Sequence, residues 1–322
     1  MENTTNKVVV IGAGYVGTSF LYAAINQNLA KYYGIIDLKS EFAHGQKLDL
    51  EDGRGSIESD YIVEDGGYEL LKDADLLIIA AGGGPLKPGG TRHDLLEGTV
   101  KIMKSIAVQV KASGFKGITI IASAPLEAAS IIYQHITGIE PNKVISASCV
   151  LDSSRLKIEL SKLIENAAPK DFDVYIMGEH GDSSVAAFSA ATLKGVKLST
   201  LYEEYGLTEE KLAKVHETVW KKAYEIFNRK GLTSYGIGMV LVDIACSVLR
   251  DEKRVFATGA LLSGEYGIAG TYAAIPCLIG KEGIIRTFEL DLSEKEKAKF
   301  IKSISILKEL NLKAFSIIRE EN

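Results

Sequence analysis

The sequence is poor in the residues that mark many specialised chemistries. Three cysteines in 322 residues, Cys149, Cys246 and Cys277, form no CxxC pair. An odd and widely spaced set supports neither a disulfide framework nor a zinc site, so reduced, buried thiols are expected. The five histidines include no HExxH pair, and no metal is expected. The longest uninterrupted apolar run, Leu76–Ala81, has six residues, where a membrane-spanning helix needs about 20. No basic-then-apolar leader precedes Lys7, so the expected location is the cytoplasm. A basic excess is missing too. Lys plus Arg is 37 and Asp plus Glu is 42, a net charge of −5, which argues against a nucleic-acid partner. Only eight of the cations are arginines, so an arginine inside a motif carries more information than a lysine.

What remains has the balance of an ordinary globular protein, 46% hydrophobic and 25% charged. The length predicts two domains, set here at 1–149 and 150–322. In the first, Val8–Ile11, Tyr33–Ile36, Asp75–Ala81 and Gly117–Ala122 are continuous apolar runs, as in strands covered on both faces of a parallel sheet. Asp94–Ser113 between them has helical spacing. The expected class is α/β, a doubly wound parallel Rossmann sheet followed by an α+β substrate domain. The second half predicts a helix from near Asp152, strands at Val174–Met177 and Val185–Ser189, and helices over Thr208–Lys230, Ser234–Arg250 and Ser293 to Ile318. Short β-like runs lie at Val255–Leu262 and Thr271–Ile279. No linker separates the halves, which are expected to pack as one body.

Gly12-Ala13-Gly14-Tyr15-Val16-Gly17 fits GxGxxG between a strand and a helix. The first glycine permits the tight turn, the second lets backbone approach a pyrophosphate, and the third lets helix and strand pack closely. Asp37 follows 20 residues after Gly17 at the end of the second strand. A carboxylate there accepts hydrogen bonds from ribose hydroxyls and repels a 2′-phosphate, so the expected cofactor is NAD rather than NADP.

Three later segments add chemistry: Lys87-Pro88-Gly89-Gly90-Thr91-Arg92, Asp152-Ser153-Ser154-Arg155 and Gly178-Glu179-His180-Gly181-Asp182. In this order and context the chain resembles the lactate and malate dehydrogenase family along essentially its whole length. The resemblance implies that His180 exchanges a proton with the C2 oxygen of the substrate and that Asp152 holds the imidazole. It implies that Arg155 grips the substrate carboxylate with a bidentate fork and that Arg92 swings in with its loop to polarise the carbonyl. Ala81 and Gly82 are placed beside the cofactor, and Leu86 and Thr233 beside the substrate. His44, His93, His135 and His216 are read as solvated or helix-surface residues, and Trp220 and Tyr224 as helix packing.

The sequence also departs from the family pattern. Ala124-Pro125-Leu126 stands where Asn-Pro-Val is usual, Ser146-Ala147-Ser148 where Gly-Ser/Thr-Gly is usual, and the loop beginning Gly82-Gly83-Gly84-Pro85 is one residue longer. These changes fall on the nicotinamide side. The expected activity is hydride transfer between NAD(H) and a short L-2-hydroxy acid, with L-lactate and pyruvate first. The rivals are malate, longer apolar 2-hydroxy acids, and a catalytically weakened NAD-binding protein. Leu86, where lactate enzymes usually carry Gln and malate enzymes Arg, predicts rejection of oxaloacetate, whose second carboxylate would meet no cation. Lys157 and Asp173 stand where sugar-bisphosphate-activated relatives carry Arg and His, so no such activation is expected. The resemblance implies a homo-oligomer, tetramer before dimer.

Overall fold

A computed structural model describes residues 6–58, 60–82, 90 and 92–320, without the side chains of Arg92 and His93. Six strands lie parallel: β1 (Lys7–Ile11), β2 (Tyr32–Ile36), β3 (Ile62–Asp65), β4 (Leu76–Ile79), β5 (Ile118–Ile121) and β6 (Val144–Ser146). Their order, β3-β2-β1-β4-β5-β6, is that of a Rossmann sheet. Helices α1 (Tyr15–Asn26), α2 (Ser40–Asp52), α3 (Leu96–Ser113) and α4 (Leu126–Thr137) connect them. All four residues of β4 and of β5 are buried, as the continuous apolar runs require. The strand order reverses between β1 and β4, and the loops at their carboxyl ends flank the crevice where ligands bind in such sheets.

The second half begins with α5 (Val150–Ser161). Five two-residue strands follow: β7 (Phe172–Asp173), β8 (Ile176–Met177), β9 (Val185–Ala186), β10 (Thr192–Leu193) and β11 (Val196–Lys197). Then come α6 (Glu209–Lys230), α7 (Tyr235–Leu249), β12 (Arg254–Ser263), β13 (Ala269–Gly280), β14 (Gly283–Thr287) and α8 (Glu294–Glu320). The runs expected to be short strands are the longest in the protein, 10 residues in β12 and 12 in β13. With β14 they form an antiparallel extension that joins β6 through Gly259 and Ser146, giving one sheet of nine strands. Gly259 permits this junction, because a Cβ there would lie 2.7 Å from the Cβ of Ser146.

The long helices obey their sequence signals. Thr208 caps α6 by accepting the Lys211 N–H at 3.2 Å, and Gly231 ends the helix in the left-handed region at φ +83°. The buried residues of α8 recur as Phe300, Ser303, Ile304, Leu307, Leu310, Asn311 and Ala314, one face of a helix. That face packs on α3, α4 and β13. Helix α7 lies against α1, so close at Gly238 that a Cβ would sit 2.8 Å from Ser19. The sheet junction and this helix pair both tie the second half to the first. The three cysteines are free and buried. No helix of the described residues is long and apolar enough to cross a membrane.

Candidate active site

The glycine turn after β1 is built from missing side chains. Gly12 adopts φ +100°, and a Cβ on it would lie 2.6 Å from the Ala81 nitrogen at the end of β4. A Cβ on Gly17 would lie 2.0 Å from the Gly12 carbonyl oxygen, so α1 could not approach β1 with any other residue there. A Cβ on Gly14, in contrast, would meet nothing within 4 Å. Gly14 caps α1 without a side-chain bond, and the first turn carries no acidic residue. Open space therefore faces a helix terminus whose first N–H groups have no intrahelical acceptor, a fit for a pyrophosphate. Tyr15 is exposed and Val16 half-buried beside it, while Ala81 is half-buried and Gly82 exposed across the crevice. Asp37 accepts the Ala13 N–H through Oδ2 at 2.8 Å and the Lys39 N–H through Oδ1 at 2.9 Å. It thus braces the turn as well as ending the strand that carries it. The dinucleotide fits these residues.

A second group of residues assembles where α5 meets the loop after β8. Asp152 and Arg155 lie one turn apart on α5, both buried, and the Arg155 Nη1 donates to Asp152 Oδ1 at 2.9 Å. His180 Nδ1–H donates to the other carboxylate oxygen, Oδ2, at 2.6 Å. Asp152 therefore ties together two residues 25 positions apart in the chain. With Nδ1 turned to a carboxylate, the ring nitrogen left for proton exchange is Nε2. The loop carrying His180 is pinned on both sides. Gly178 exchanges two 2.9 Å backbone bonds with Ala274 of β13, and the Glu179 N–H donates to Ser303 Oγ of α8 at 2.9 Å. Gly178 has φ +87°, and a Cβ on it would strike that same Ser303 oxygen at 2.6 Å. The two predicted strands around this loop shrink to β8 and β9, which pair with each other, and Gly178 just beyond β8 pairs with the large sheet.

One buried carboxyl beside the histidine was not anticipated. Glu127, in the first turn of α4, is 2% exposed and accepts the Ser148 hydroxyl at 2.5 Å and the His180 backbone N–H at 3.3 Å, both through Oε1. Burial pushes its carboxyl above the usual range, while Ser148 and the charge of His180 oppose that shift. The available signal was a lone acid inside the apolar run Leu126–Ile132.

Cys149 is also buried here, and ligand atoms of Cys149, Asp152 and His180 lie within 4.8 Å of one another. The chemistry is wrong for a metal. Burial, with Asp152 and Glu127 nearby, pushes the Cys149 thiol well up, its Sγ reaches the Glu179 carbonyl oxygen at 3.5 Å, and Asp152 already holds Arg155.

Other expected residues are less directly placed. Thr233 is half-buried in the connection between α6 and α7. Three residues on, Gly236 packs against Leu151, the neighbour of Asp152. Arg92 opens a 3-10 turn, Arg92–Leu95, and its side chain lies outside the described residues, as do Leu86, the Lys87–Gly89 segment and Thr91. Ala124 offers the site only a methyl group, and its carbonyl oxygen accepts the Thr99 hydroxyl at 2.6 Å. Ser146 and Ser148 are buried, Ser148 with its hydroxyl on Glu127, so neither presents an exposed wall.

A cavity of about 540 Å³ opens beside the His180 loop, between α6 and α8. His216, Trp220 and Tyr224 line it from α6, and Lys299 and Lys302 from α8. His216 is therefore not the solvated histidine expected of its helix. Burial, helped by Lys299, pushes its pKa down to about 4, so the ring is neutral at ordinary pH beside Ser184 Oγ at 3.2 Å. Trp220 and Tyr224 pack edge to face, as expected, and also form a wall of the cavity.

Comparison with known proteins covers nearly the whole chain. The family model for the lactate/malate dehydrogenase NAD binding domain matches residues 6–146, and that for the α/β C-terminal domain of the same family matches residues 149–317. The L-lactate dehydrogenase of Mesoplasma florum is 45% identical over 307 residues, covering 95% of this chain and 96% of the relative. That of Mycoplasma mobile is 40% identical over 319 residues, 99% of this chain and 100% of the relative. Among solved structures, the minor L-lactate dehydrogenase of Enterococcus mundtii in its ligands-bound form superposes with a TM-score of 0.91 at 38% identity, covering 95% of this chain and 98% of that one. The malate dehydrogenase of Cryptosporidium parvum also reaches a TM-score of 0.91, at 29% identity, with 97% of this chain and 100% of that one covered. Two family models that together span nearly the whole chain, and relatives 40–45% identical along it, lead to one conclusion: this chain belongs to the lactate/malate dehydrogenase family.

Proposed function

We propose that the chain interconverts pyruvate and L-lactate, with residues 1–149 holding NAD and residues 150–322 supplying the substrate side. The observation that carries this reading is the continuous, buried link from Arg155 through Asp152 to His180, at 2.9 and 2.6 Å. Arg155 takes the substrate carboxylate with its planar guanidinium fork. This fixes C2 of the substrate near His180. In reduction, protonated His180 gives its Nε2 proton to the C2 oxygen, and Asp152 stabilises the imidazolium before transfer. NADH, when held at the glycine turn and Asp37, would supply the hydride for C2. Arg92 closes with its loop, polarises the carbonyl and helps exclude water. Thr233 and Leu86 border the substrate's far end. Both named lactate dehydrogenase relatives support pyruvate over oxaloacetate.

Ala124 motivates a second reading, a weakened enzyme. Losing one side-chain hydrogen bond at the reacting centre costs about 1–3 kcal/mol, roughly a tenfold to hundredfold rate loss. Steady-state kcat/KM with NADH for pyruvate, 2-ketobutyrate, 2-ketoisocaproate and oxaloacetate separates the possibilities. Pyruvate is expected far above oxaloacetate, with a shallow preference among the apolar acids. A preference for oxaloacetate makes the malate reading correct. No turnover of any acid above that of His180→Asn makes the binding reading correct. NADPH is expected to serve poorly because Asp37 would face its extra phosphate.

The working form is a homo-oligomer, tetramer before dimer, in the cytoplasm. Its support is α2, which buries only Ala43 and leaves Phe42 and Leu48 exposed, with fully exposed Leu38 just before it. Light scattering across protein concentrations tests this assembly.

A further inference from the structure

Residues 126–133 of α4 are all buried, and Glu127 is the one carboxyl among them. Two donors from distant parts of the chain meet on its Oε1: the hydroxyl of Ser148 and the backbone N–H of His180. Ser148 holds φ +30°, in the region that favours glycine, and the family usually carries glycine at this position. The chain thus keeps a serine in an unfavourable backbone conformation, and its hydroxyl lies on the buried acid that touches the histidine loop.

We propose that Glu127 and Ser148 are positioning residues for His180: together they fix its peptide N–H, and the Glu127 carboxylate sets the pH at which the imidazole gives up its proton. The proposal rests on His180 being the proton carrier. Glu127 is faced by His180 and Glu179 from the loop after β8 and by Ser148 and Cys149 from the start of α5; Asp152, with Arg155, holds the same histidine through its ring. An ionised Glu127 favours the imidazolium. Pyruvate reduction needs that imidazolium, so its rate falls at high pH as the proton is lost. Where Glu127 is ionised it keeps this falling limb at higher pH; burial raises its carboxyl, and the Ser148 hydroxyl opposes that rise.

The test is the pH profile of kcat/KM for pyruvate with NADH, measured on the full chain for wild type, E127Q, S148G and the double variant. E127Q is expected to move the falling limb down by about half to one pH unit, with NADH affinity by fluorescence changed less than about twofold. S148G, which also relieves the backbone, is expected to move the limb the same way by less. The double variant is expected to match E127Q, since Ser148 acts only through Glu127. An E127Q limb within about 0.2 unit of wild type, or shifts that add in the double variant, overturns the proposal. A lowered melting temperature with an unmoved limb marks a merely structural role and also overturns it. If E127Q does not fold, S148G decides, and an unmoved limb counts against the proposal. His180→Asn run alongside keeps the two readings apart. Full activity in that variant removes the proton-carrier assignment itself, whereas an inactive variant with an unmoved E127Q limb removes only the role of Glu127.

Discussion

The two halves of the site are built by opposite means. Around Gly12, Gly14 and Gly17, where we place the cofactor, side chains are omitted, so that backbone of β1, α1 and the end of β4 comes close and open space lies beside Gly14. Around His180, where we place the substrate, charged side chains are buried, and His180 meets carboxylates that lie far from it in the sequence. Asp152 spans 28 residues to reach His180, and Glu127 reaches 53 residues to the same loop. The first kind of site is local and tolerates little added volume. The second is long-range and tolerates little change of charge, because removing one member leaves another buried without its partner.

Three substitution or ligand experiments probe that contrast. The largest effect is expected at Arg155. Arg155→Lys keeps the charge but loses the planar fork, and should cost about 2–4 kcal/mol of pyruvate affinity, roughly 30- to 1000-fold in KM. NADH binding should be preserved. An unchanged pyruvate KM would show that the carboxylate is held elsewhere.

The glycine pair comes next. Gly17→Ala should destabilise the fold by about 3 kcal/mol in urea unfolding, because the new Cβ meets the Gly12 oxygen. Gly14→Ala should leave stability within about 0.5 kcal/mol, since nothing occupies that space. It should nevertheless weaken NADH binding at least about tenfold by standing in the way of the pyrophosphate. Equal effects of the two substitutions on stability would break the contrast between a packing glycine and an approach glycine.

The smallest effect is expected from fructose 1,6-bisphosphate. Burial holds the Lys157 ammonium below the ordinary lysine range, and Asp173 is the charge that chiefly opposes this. An added phosphate would meet that carboxylate, so pyruvate KM should change less than about twofold. A tenfold fall on adding the effector would contradict the reading of Lys157 and Asp173.

The same contrast explains what was legible in the sequence. Val8–Ile11, the glycine turn and Asp37 are contiguous signals, and the structure keeps them as a strand, a turn and a brace. The 28 residues between Asp152 and His180 say nothing about contact, and only the family resemblance pointed to it. Three strands of the large sheet carried no readable run: β3 reads Ile-Val-Glu-Asp, β6 has three residues, and β14 sits at the sheet edge. Helix α4 buries residues 126–133 on all sides, and no helix was expected there. The expected runs Val255–Leu262 and Thr271–Ile279 cover most of β12 and β13, but nothing in them showed their union with β6. His216 looked like a surface residue because the cavity wall is completed by α8, some 80 residues further on.

The central claim is that His180 carries the proton. It is tested most directly by measuring NADH affinity by fluorescence and pyruvate turnover in one preparation of His180→Asn. The account predicts NADH binding within about twofold of wild type and a loss of roughly 10²–10⁴-fold in kcat. Wild-type turnover in that variant would contradict it.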